Sequence, residues 1–170
     1  LALDSDGTVW GIGRNDHGPL GLGDNSNRTE FTYVPGLSGV ADVSAGAYHS
    51  LALMDDGTLR VTGSNEHGEL GLGDVVSRNE FTAVEGLSSI VAAVGGGRHS
   101  FVIKQNGELW GTGRDDYGEL GDETMLSRRN FGRVTGLEGV ALVRSGGNHA
   151  AVVAEVIPAA FLSVSSIPVT

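Results

Sequence analysis

The chain contains no cysteine and only one lysine, Lys104, among its 170 residues. The absence of cysteine excludes disulfide bonds, thiolate metal sites and a cysteine nucleophile. The P-loop of nucleotide-binding proteins needs a lysine followed by serine or threonine, whereas Lys104 precedes Gln105. Proline is also scarce, with 4 residues against 28 glycines, so the glycines belong to turns rather than to a collagen-like or proline-rich segment.

Basic residues and long hydrophobic runs are likewise few. The chain has 11 basic against 21 acidic residues, which gives a net charge of -10. Because such a surface repels phosphate backbones, no nucleic-acid partner is predicted. The C-terminal tail is apolar, but Glu155, Pro158 and Pro168 interrupt it, so no membrane span is predicted.

One phrase recurs three times at a spacing of 50 residues. It reads DGTVWGIG at 6–13, DGTLRVTG at 56–63 and NGELWGTG at 106–113. Residues 1–50, 51–100 and 101–150 align without gaps and share a set of identical positions. In the first unit these are Gly7, Gly13, Gly18, Leu20, Gly21, Arg28, Phe31, Val34, Gly36, Leu37, Gly46 and His49. A period of this length indicates propeller blades or helical arrays.

The residues between the repeated glycines favour strands over helices. Glycines break every window with helical spacing. Each Asp-Gly or Asn-Gly pair lies between two short apolar runs, which predicts a hairpin with a type I′ turn. The apolar run 90–94 predicts a strand covered on both faces. Each unit then holds four short antiparallel strands, so the predicted fold class is all-β, with β-propeller blades of four strands.

The repeated unit resembles the repeat of the RCC1 (regulator of chromosome condensation) family. The resemblance rests on GAYHSLAL at 46–53, DGTL at 56–59 and GSNEHGELGLG at 63–73, with their counterparts in the other units. It covers 1–154, as units 1–50, 51–100 and 101–150 and a partial fourth, 151–154. Residues 155–170 form an apolar tail, in which 161–169 is a candidate extra strand.

The resemblance implies a seven-bladed propeller, which three units cannot close. We therefore expect an open arc of about three blades of a longer propeller, or part of an oligomeric assembly. Unpaired strand edges invite pairing, so neighbouring copies are candidate partners. In the third unit Asp122-Glu123-Thr124 replaces the Leu-Gly-Asp of the other two, which predicts a different loop shape.

Three sets of repeated residues are predicted to be structural. The glycines should form the hairpin turns, the histidines should hydrogen-bond a neighbouring turn, and the arginines should bridge a carboxylate or carbonyl on the next blade. Equivalent histidines on successive blades do not converge, so neither a metal site nor any cofactor is predicted. The sets are Gly7, Gly57 and Gly107; His49, His99 and His149; and Arg28, Arg78 and Arg128.

Binding is predicted on one set of loops, because loops on rigid scaffolds usually carry recognition. The candidate binding residues are Asn15, His17, Asn65, His67, Asp115 and Tyr117. No spacing assembles an acid, a base and an orienting group, so catalytic residues are not predicted and the chain is not expected to be an enzyme.

The leading functional prediction is a protein-interaction scaffold that binds a protein partner through these loops. Two alternatives stay open. The resemblance implies guanine-nucleotide exchange on a small GTPase, although the family's exchange factor carries an inserted β-wedge and the three units here have equal length. The composition also suits an extracellular microbial protein, such as a surface or virion component, a filament subunit or a lectin-like binder.

Overall fold

A computed structural model of the chain describes residues 1–156, and all regular structure in this range is β-strand. The candidate strand at 161–169 lies outside the described residues. Within 1–156 there is no helix that could cross a membrane. In chain order the strands are β1 (Ala2–Leu3), β2 (Val9–Gly13), β3 (Arg28–Tyr33), β4 (Val40–Ala45), β5 (His49–Met54), β6 (Leu59–Gly63), β7 (Arg78–Ala83), β8 (Ile90–Gly95), β9 (His99–Lys104), β10 (Leu109–Gly113), β11 (Arg128–Arg133), β12 (Leu137–Ser145) and β13 (Ala150–Val156).

The strands form a row of antiparallel sheets in which neighbours in sequence are neighbours in space. Two sheets have four strands, β4–β5–β6–β7 and β8–β9–β10–β11. They are flanked by the three strands β1–β2–β3 and the pair β12–β13. The complete sheets span 40–83 and 90–133, so each begins in one 50-residue unit and ends in the next. The predicted all-β fold of four-stranded antiparallel blades is therefore confirmed.

The hairpin turns differ in type from the prediction. A type I′ turn needs positive φ at both central residues. In the hairpin turn of the second unit Gly57 has positive φ (75°) but Asp56 does not, and the Gly57 amide donates to the Met54 carbonyl. The chain therefore reverses through a longer loop in which a four-residue turn ends on a left-handed glycine. Gly7 and Gly107 take the same conformation.

The strand β8 is covered less completely than the continuous apolar run predicts. Val91 is 55% exposed, although Ile90 and Ala93 are buried. The pairing with β9 shifts between Ile90 and Ala92, and this bulge turns Val91 to the outside. The apolar run therefore did not indicate the bulge at Val91.

The hydrophobic core is divided into three clusters that lie between successive sheets. The middle cluster includes the fully buried Leu51, Leu59 and Leu70, which pack against Ile90 and Val102 of the following sheet. Full burial of one such side chain contributes about 2 kcal/mol. Because a single sheet cannot bury both faces alone, neighbouring sheets depend on one another for stability.

Small residues let the inner strands of successive sheets approach closely. A Cβ on Gly95 would lie 2.7 Å from the Gly46 amide nitrogen, and one on Gly97 would collide with the Gly147 carbonyl. The amide of Gly97 also donates to the carbonyl of Gly146 at 3.0 Å. Close backbone contact of this kind explains the glycines at 95 and 97.

Candidate functional site

The loops that follow β2 and β6 each pack against the outer strand of the next sheet. In the first loop the Gly23 amide donates to the Asn79 carbonyl of β7 at 2.8 Å, and Thr62 Oγ1 donates to the Gly18 carbonyl at 2.9 Å. A Cβ on Gly21 would collide with the ring of Phe81. The loop is therefore fixed by the neighbouring sheet as well as by its own contacts.

The second loop repeats this junction with β11. The Gly73 amide donates to the Arg129 carbonyl at 2.8 Å, and Thr112 Oγ1 donates to the Gly68 carbonyl at 2.9 Å. A Cβ on Gly71 would collide with Phe131. The same contacts occur at both junctions, so the repeated glycines and phenylalanines pack neighbouring sheets together.

A buried amide side chain holds the inside of each of the first two loops. Asn65 is 0% exposed, and its Nδ2 donates to Asp74 Oδ1 (2.9 Å) and to the Val76 carbonyl (3.2 Å). Its Oδ1 accepts the Leu70 amide at 3.0 Å. Asn15 is equally buried and accepts the Leu20 amide at 3.0 Å. These side chains were candidates for the binding surface, but they lie inside the loop and determine its shape.

The third loop has an aspartate, Asp115, in place of this asparagine. Asp115 Oδ1 accepts the Leu120 amide at 2.7 Å, whereas its buried Oδ2 has no hydrogen-bond partner among the described residues. Burial raises the pKa of the Asp115 carboxyl, and the nearby Asp122 carboxylate raises it further. Burial also acts on Asp122, but hydrogen bonds from Thr124 and the charge of Arg128 outweigh it and lower the pKa of Asp122. Of the two carboxyls, Asp115 is therefore the one that takes up a proton at the higher pH.

Exchange of this aspartate for the amide of the other loops should stabilise the third loop. In Asp115→Asn the new NH₂ group can donate to Asp122, as Asn65 donates to Asp74. We expect the free energy of unfolding to rise by about 1 to 2 kcal/mol at neutral pH. A carboxyl with a raised folded-state pKa contributes stability in acid, and this contribution is lost as pH rises. In acid the protonated Asp115 is neutral like asparagine, so the gain from Asp115→Asn should shrink when urea unfolding is measured near pH 4. Asp116→Asn, on the exposed neighbour, is the control; an equal gain at both pH values would contradict this account.

The shape of the third loop differs from the others, as the sequence predicts. Glu123 (φ 65°) and Met125 (φ 53°) adopt left-handed backbone conformations, which are unusual for residues other than glycine. Glu123 occupies the position of Gly23 and Gly73, which have φ of 81° and 84°. Residue 123 therefore has the left-handed backbone conformation of Gly23 and Gly73 although it is a glutamate, whereas Met125 has no left-handed counterpart in the other loops.

The repeated arginines close the ends of the loops. Arg28 Nη2 donates to Asp24 at 2.6 Å, Arg78 Nη2 donates to Asp74 at 2.7 Å, and Arg128 pairs with Asp122. This differs from the expectation of a partner on the next blade. The carboxylates lie in each arginine's own loop, because the turn brings residues four to six positions apart together.

Two buried glutamates, Glu69 and Glu119, were not predicted as part of the site. Glu69 accepts Ser64 Oγ at 2.8 Å and the His67 amide at 2.7 Å. In the third loop Glu119 accepts the Tyr117 amide at 2.8 Å. The signal in the sequence is the acid within Gly-Glu-Leu-Gly, which the first loop replaces with Pro19. Both carboxylates stiffen the turn that presents the side chain at position 67 or 117.

The histidines of the inner strands connect one sheet to the next. His49 Nε2 lies 2.9 Å from Ser100 Oγ, which donates its own proton to the Glu69 carbonyl at 2.7 Å. His49 must therefore donate from Nε2, and its buried Nδ1 has no partner in the part of the chain that the structure describes. The ring also covers Gly46, where a Cβ would collide with it.

The second histidine uses a different serine. The position after His149 is Ala150, so the serine that would correspond to Ser100 is absent. Instead, His99 Nε2 lies 2.6 Å from Ser145 Oγ on β12. Burial lowers the pKa of both His49 and His99, and that of His49 falls to about 4. His149 is exposed.

Acid should destabilise the protein through the buried histidine His49. Its unfolded-state pKa is 6.5 and its folded-state pKa is about 4, so the unfolded chain binds the additional proton as pH falls between these values. The stability lost across that range is about 3 kcal/mol. Urea unfolding across this range should show the loss in the wild type and a much smaller loss in His49→Gln, with His149→Gln as the control. An unchanged pH dependence in His49→Gln would contradict the assignment.

The exposed surface of the loops combines rings and charges. The ring of His17 lies edge-on to Tyr48 of the next inner turn, with centroids 5.7 Å apart. His67 Nε2 contacts Arg98 at the equivalent place, and Arg98 pairs with Glu66 at 3.7 Å. We call this surface the loop face; its members are Arg14, Asp16, His17, Tyr48, Glu66, His67, Arg98, Arg114, Asp116 and Tyr117.

The loop face combines an exposed aromatic ring with pairs of opposite charges. Tyr117 is 69% exposed and lies beneath the guanidinium of Arg114 at 4.7 Å. Arg14 pairs with Asp16 at 2.6 Å and Arg114 with Asp116 at 3.1 Å, so the charges are balanced locally. Among residues 1–156 no cluster of acidic or histidine side chains could hold a metal ion. Aromatic rings and arginines are the groups that dominate protein–protein contacts.

Comparison with solved structures identifies the fold. The structure is similar to that of Prp20p from Saccharomyces cerevisiae, described with its binding to Gsp1p and histones, with a TM-score of 0.78 and 22% identity. It is also similar to yeast RCC1 (Prp20) bound to Kap60, with a TM-score of 0.78 and 21% identity, and to human WBSCR16, with 0.74 and 23%. The matches cover 92%, 92% and 88% of this chain but only 41%, 40% and 40% of the other chains.

These similarities show the fold, an arc of a β-propeller. Sequence comparison identifies the repeat itself. The family model described as the regulator of chromosome condensation (RCC1) repeat matches residues 6–53 and 56–103, and a second model of the same description matches 40–69 and 90–119. The matched segments include the turn glycines, the inner histidines and the loop anchors described above. The chain belongs to the RCC1 repeat family.

Proposed function

We propose that this chain is a non-enzymatic scaffold that binds a protein partner through the loop face. The observation that carries the proposal is the construction of the loops. Buried anchors such as Asn65 and Glu69 hold each loop rigidly, so that His17, His67 and Tyr117 emerge at equivalent places on successive sheets. Preorganised aromatic and charged side chains bind without a large ordering cost.

The charge of the chain favours a partner with a basic surface. The net charge is -10, and complementary charge accelerates association and suppresses wrong partners. The similar protein Prp20p is described as binding Gsp1p and histones. Gsp1p and purified histones are therefore the first probes for this chain.

Substitutions on the loop face should weaken binding by about tenfold or more. The variants are Tyr48→Ala and His67→Ala, which shorten side chains without removing a buried anchor. Gln105→Ala is the control, because it lies in a hairpin turn at the opposite end of the sheets. Biolayer interferometry with immobilised chain and each probe measures the effect. Equal affinities of all three variants for a bound probe would overturn the proposal.

Nucleotide exchange on a small GTPase is the second candidate, since the resemblance to the RCC1 family implies it; Gsp1p, to which Prp20p is described as binding, is the probe. The equal lengths of the three repeat units leave no room for an inserted wedge. We therefore expect no acceleration of nucleotide release from Gsp1p when the chain is added. Acceleration that the loop-face variants abolish would replace the scaffold proposal with an exchange factor.

A further inference from the structure

Two junctions between neighbouring sheets are complete within the chain and share one geometry. At each junction an outer strand with the pattern Arg-x-x-Phe covers two glycines of the preceding loop. Strand β7 covers Gly18 and Gly21, and strand β11 covers Gly68 and Gly71. All four glycines are buried.

The third loop presents the same surface, and no strand within residues 1–156 covers it. Gly118 and Gly121 have φ of 77° and 68°, like their counterparts, but they are exposed. A Cβ on either would meet no atom within 4 Å among the described residues. Beside them lies an apolar depression of about 270 Å³, lined in part by Leu120, Val134 and Val152.

The hydrophobic cluster next to this depression also lacks one component. In each of the other two clusters a phenylalanine from the next outer strand, Phe81 or Phe131, packs against the buried residues. The cluster around Leu120 includes no such phenylalanine in the described part of the chain. The missing contribution is therefore an aromatic side chain delivered by an outer strand.

A matching strand lies at the opposite end of the row of sheets. Strand β3 carries Arg28 and Phe31 in the same pattern as β7 and β11. Phe31 is 57% exposed, whereas Phe81 and Phe131 are partly buried. Within residues 1–156 no loop covers β3 in the way that the first two loops cover β7 and β11.

We propose that β3 of a second copy of this chain docks on the third loop, with Phe31 against Gly121. The strand order supports this occupant. The strands β12 and β13 correspond to the first two strands of a four-stranded sheet, and β2 and β3 correspond to the last two. Together, β12–β13 of one copy and β2–β3 of a second copy would form one complete sheet. The edge of β13 that has no partner among the described residues then pairs with β2 in place of β1. This interface lies between sheets, and Tyr117 is the one residue that the lining of the depression shares with the loop face.

Light scattering on the 170-residue chain after size exclusion tests the proposal. The wild type should have at least twice the 17.5 kDa mass of one chain and should dissociate on dilution. Because each copy has a charge of -10, salt should strengthen the association. A wild type that stays monomeric at every concentration and salt level overturns the proposal.

Substitution of one glycine separates docking from folding. At the equivalent position in the second loop, a Cβ on Gly68 would lie 2.5 Å from the Arg128 carbonyl oxygen of the covering strand. The Cβ of Gly118→Asn should therefore collide with a strand that docks on the third loop. Asparagine accepts left-handed backbone readily, so the loop itself folds. Gly136→Asn is the matched control, since a Cβ on Gly136 (φ 85°), Gly36 or Gly86 would meet no atom within 4 Å among the described residues. We expect loss of association in Gly118→Asn only; equal association of the two variants refutes the interface.

Complementation gives the second arm of the experiment. Phe31→Ser should also abolish association, whereas Tyr33→Ala should not, because β7 already has Ala83 at that position. The Gly118→Asn and Phe31→Ser variants each retain one intact half of the interface. Mixed, they should form a heterodimer and nothing larger. A mixture that remains monomeric while both variants are folded overturns the pairing of β3 with the third loop.

Discussion

Gly68→Ala is expected to lower the free energy of unfolding by about 4 kcal/mol. Gly68 has φ of 83°, where a residue with a Cβ costs about 1 to 2 kcal/mol. The new Cβ would also lie 2.5 Å from the Arg128 carbonyl oxygen and 2.7 Å from the Arg129 Cα. Both contacts are with backbone of the next sheet, so relief requires the two sheets to separate.

The third copy of this glycine provides the control. Gly118 has φ of 77°, but a Cβ there would meet no atom of residues 1–156 within 4 Å. Gly118→Ala should therefore cost only about 1 kcal/mol, which is the backbone term alone. Urea unfolding at a concentration where the chain is monomeric measures both variants. Equal losses in the two would mean that the second loop does not pack against β11.

Asn65→Ala is expected to lower the free energy of unfolding by about 3 kcal/mol. The substitution leaves the Leu70 amide and the Asp74 and Val76 carbonyls without the partner that they have in the wild type. An unsatisfied buried group costs about 1 to 3 kcal/mol, and partial access of water to the loop limits the sum. Because the anchor organises the loop face, binding of a partner should weaken together with stability.

The exposed Asn25 is the matched control for this anchor. It lies in the first loop and makes none of the side-chain hydrogen bonds found for Asn15 and Asn65. Asn25→Ala should change the unfolding free energy by less than about 0.5 kcal/mol. A comparable loss in both variants would show that the amide of Asn65 has no special role.

The sequence predicts the sheets well because the positions of strands and turns depend on the local spacing of apolar residues and turn glycines. Hairpins around Gly57 and Gly107 follow from Asp-Gly and Asn-Gly pairs, and strand pairing follows from their order. The turn type was wrong, since the same residue pair serves more than one hairpin geometry and φ at Asp56 depends on loop length.

Side-chain partners are harder to predict because they depend on distances between sheets. The bond from His99 to Ser145 compensates for Ala150 through a residue on a different strand, and no local pattern indicates it. The burial of Asn15 and Asn65 was likewise missed, since polar residues in loops are exposed on average. Their recurrence beside Gly-Glu-Leu-Gly or Gly-Pro-Leu-Gly was the available signal. Whether the loop face binds a partner stays a prediction.

Hydrogen exchange of three backbone amides tests most directly whether each loop is locked onto the sheet that follows it. The Gly23 and Gly73 amides donate to carbonyls of β7 and β11, at 2.8 Å in both cases, whereas the equivalent Glu123 amide has no such acceptor among the described residues. In Phe31→Ser, which is expected to be monomeric, Gly23 and Gly73 should exchange slowly and Glu123 rapidly. Rapid exchange at all three amides would contradict the stacked arrangement.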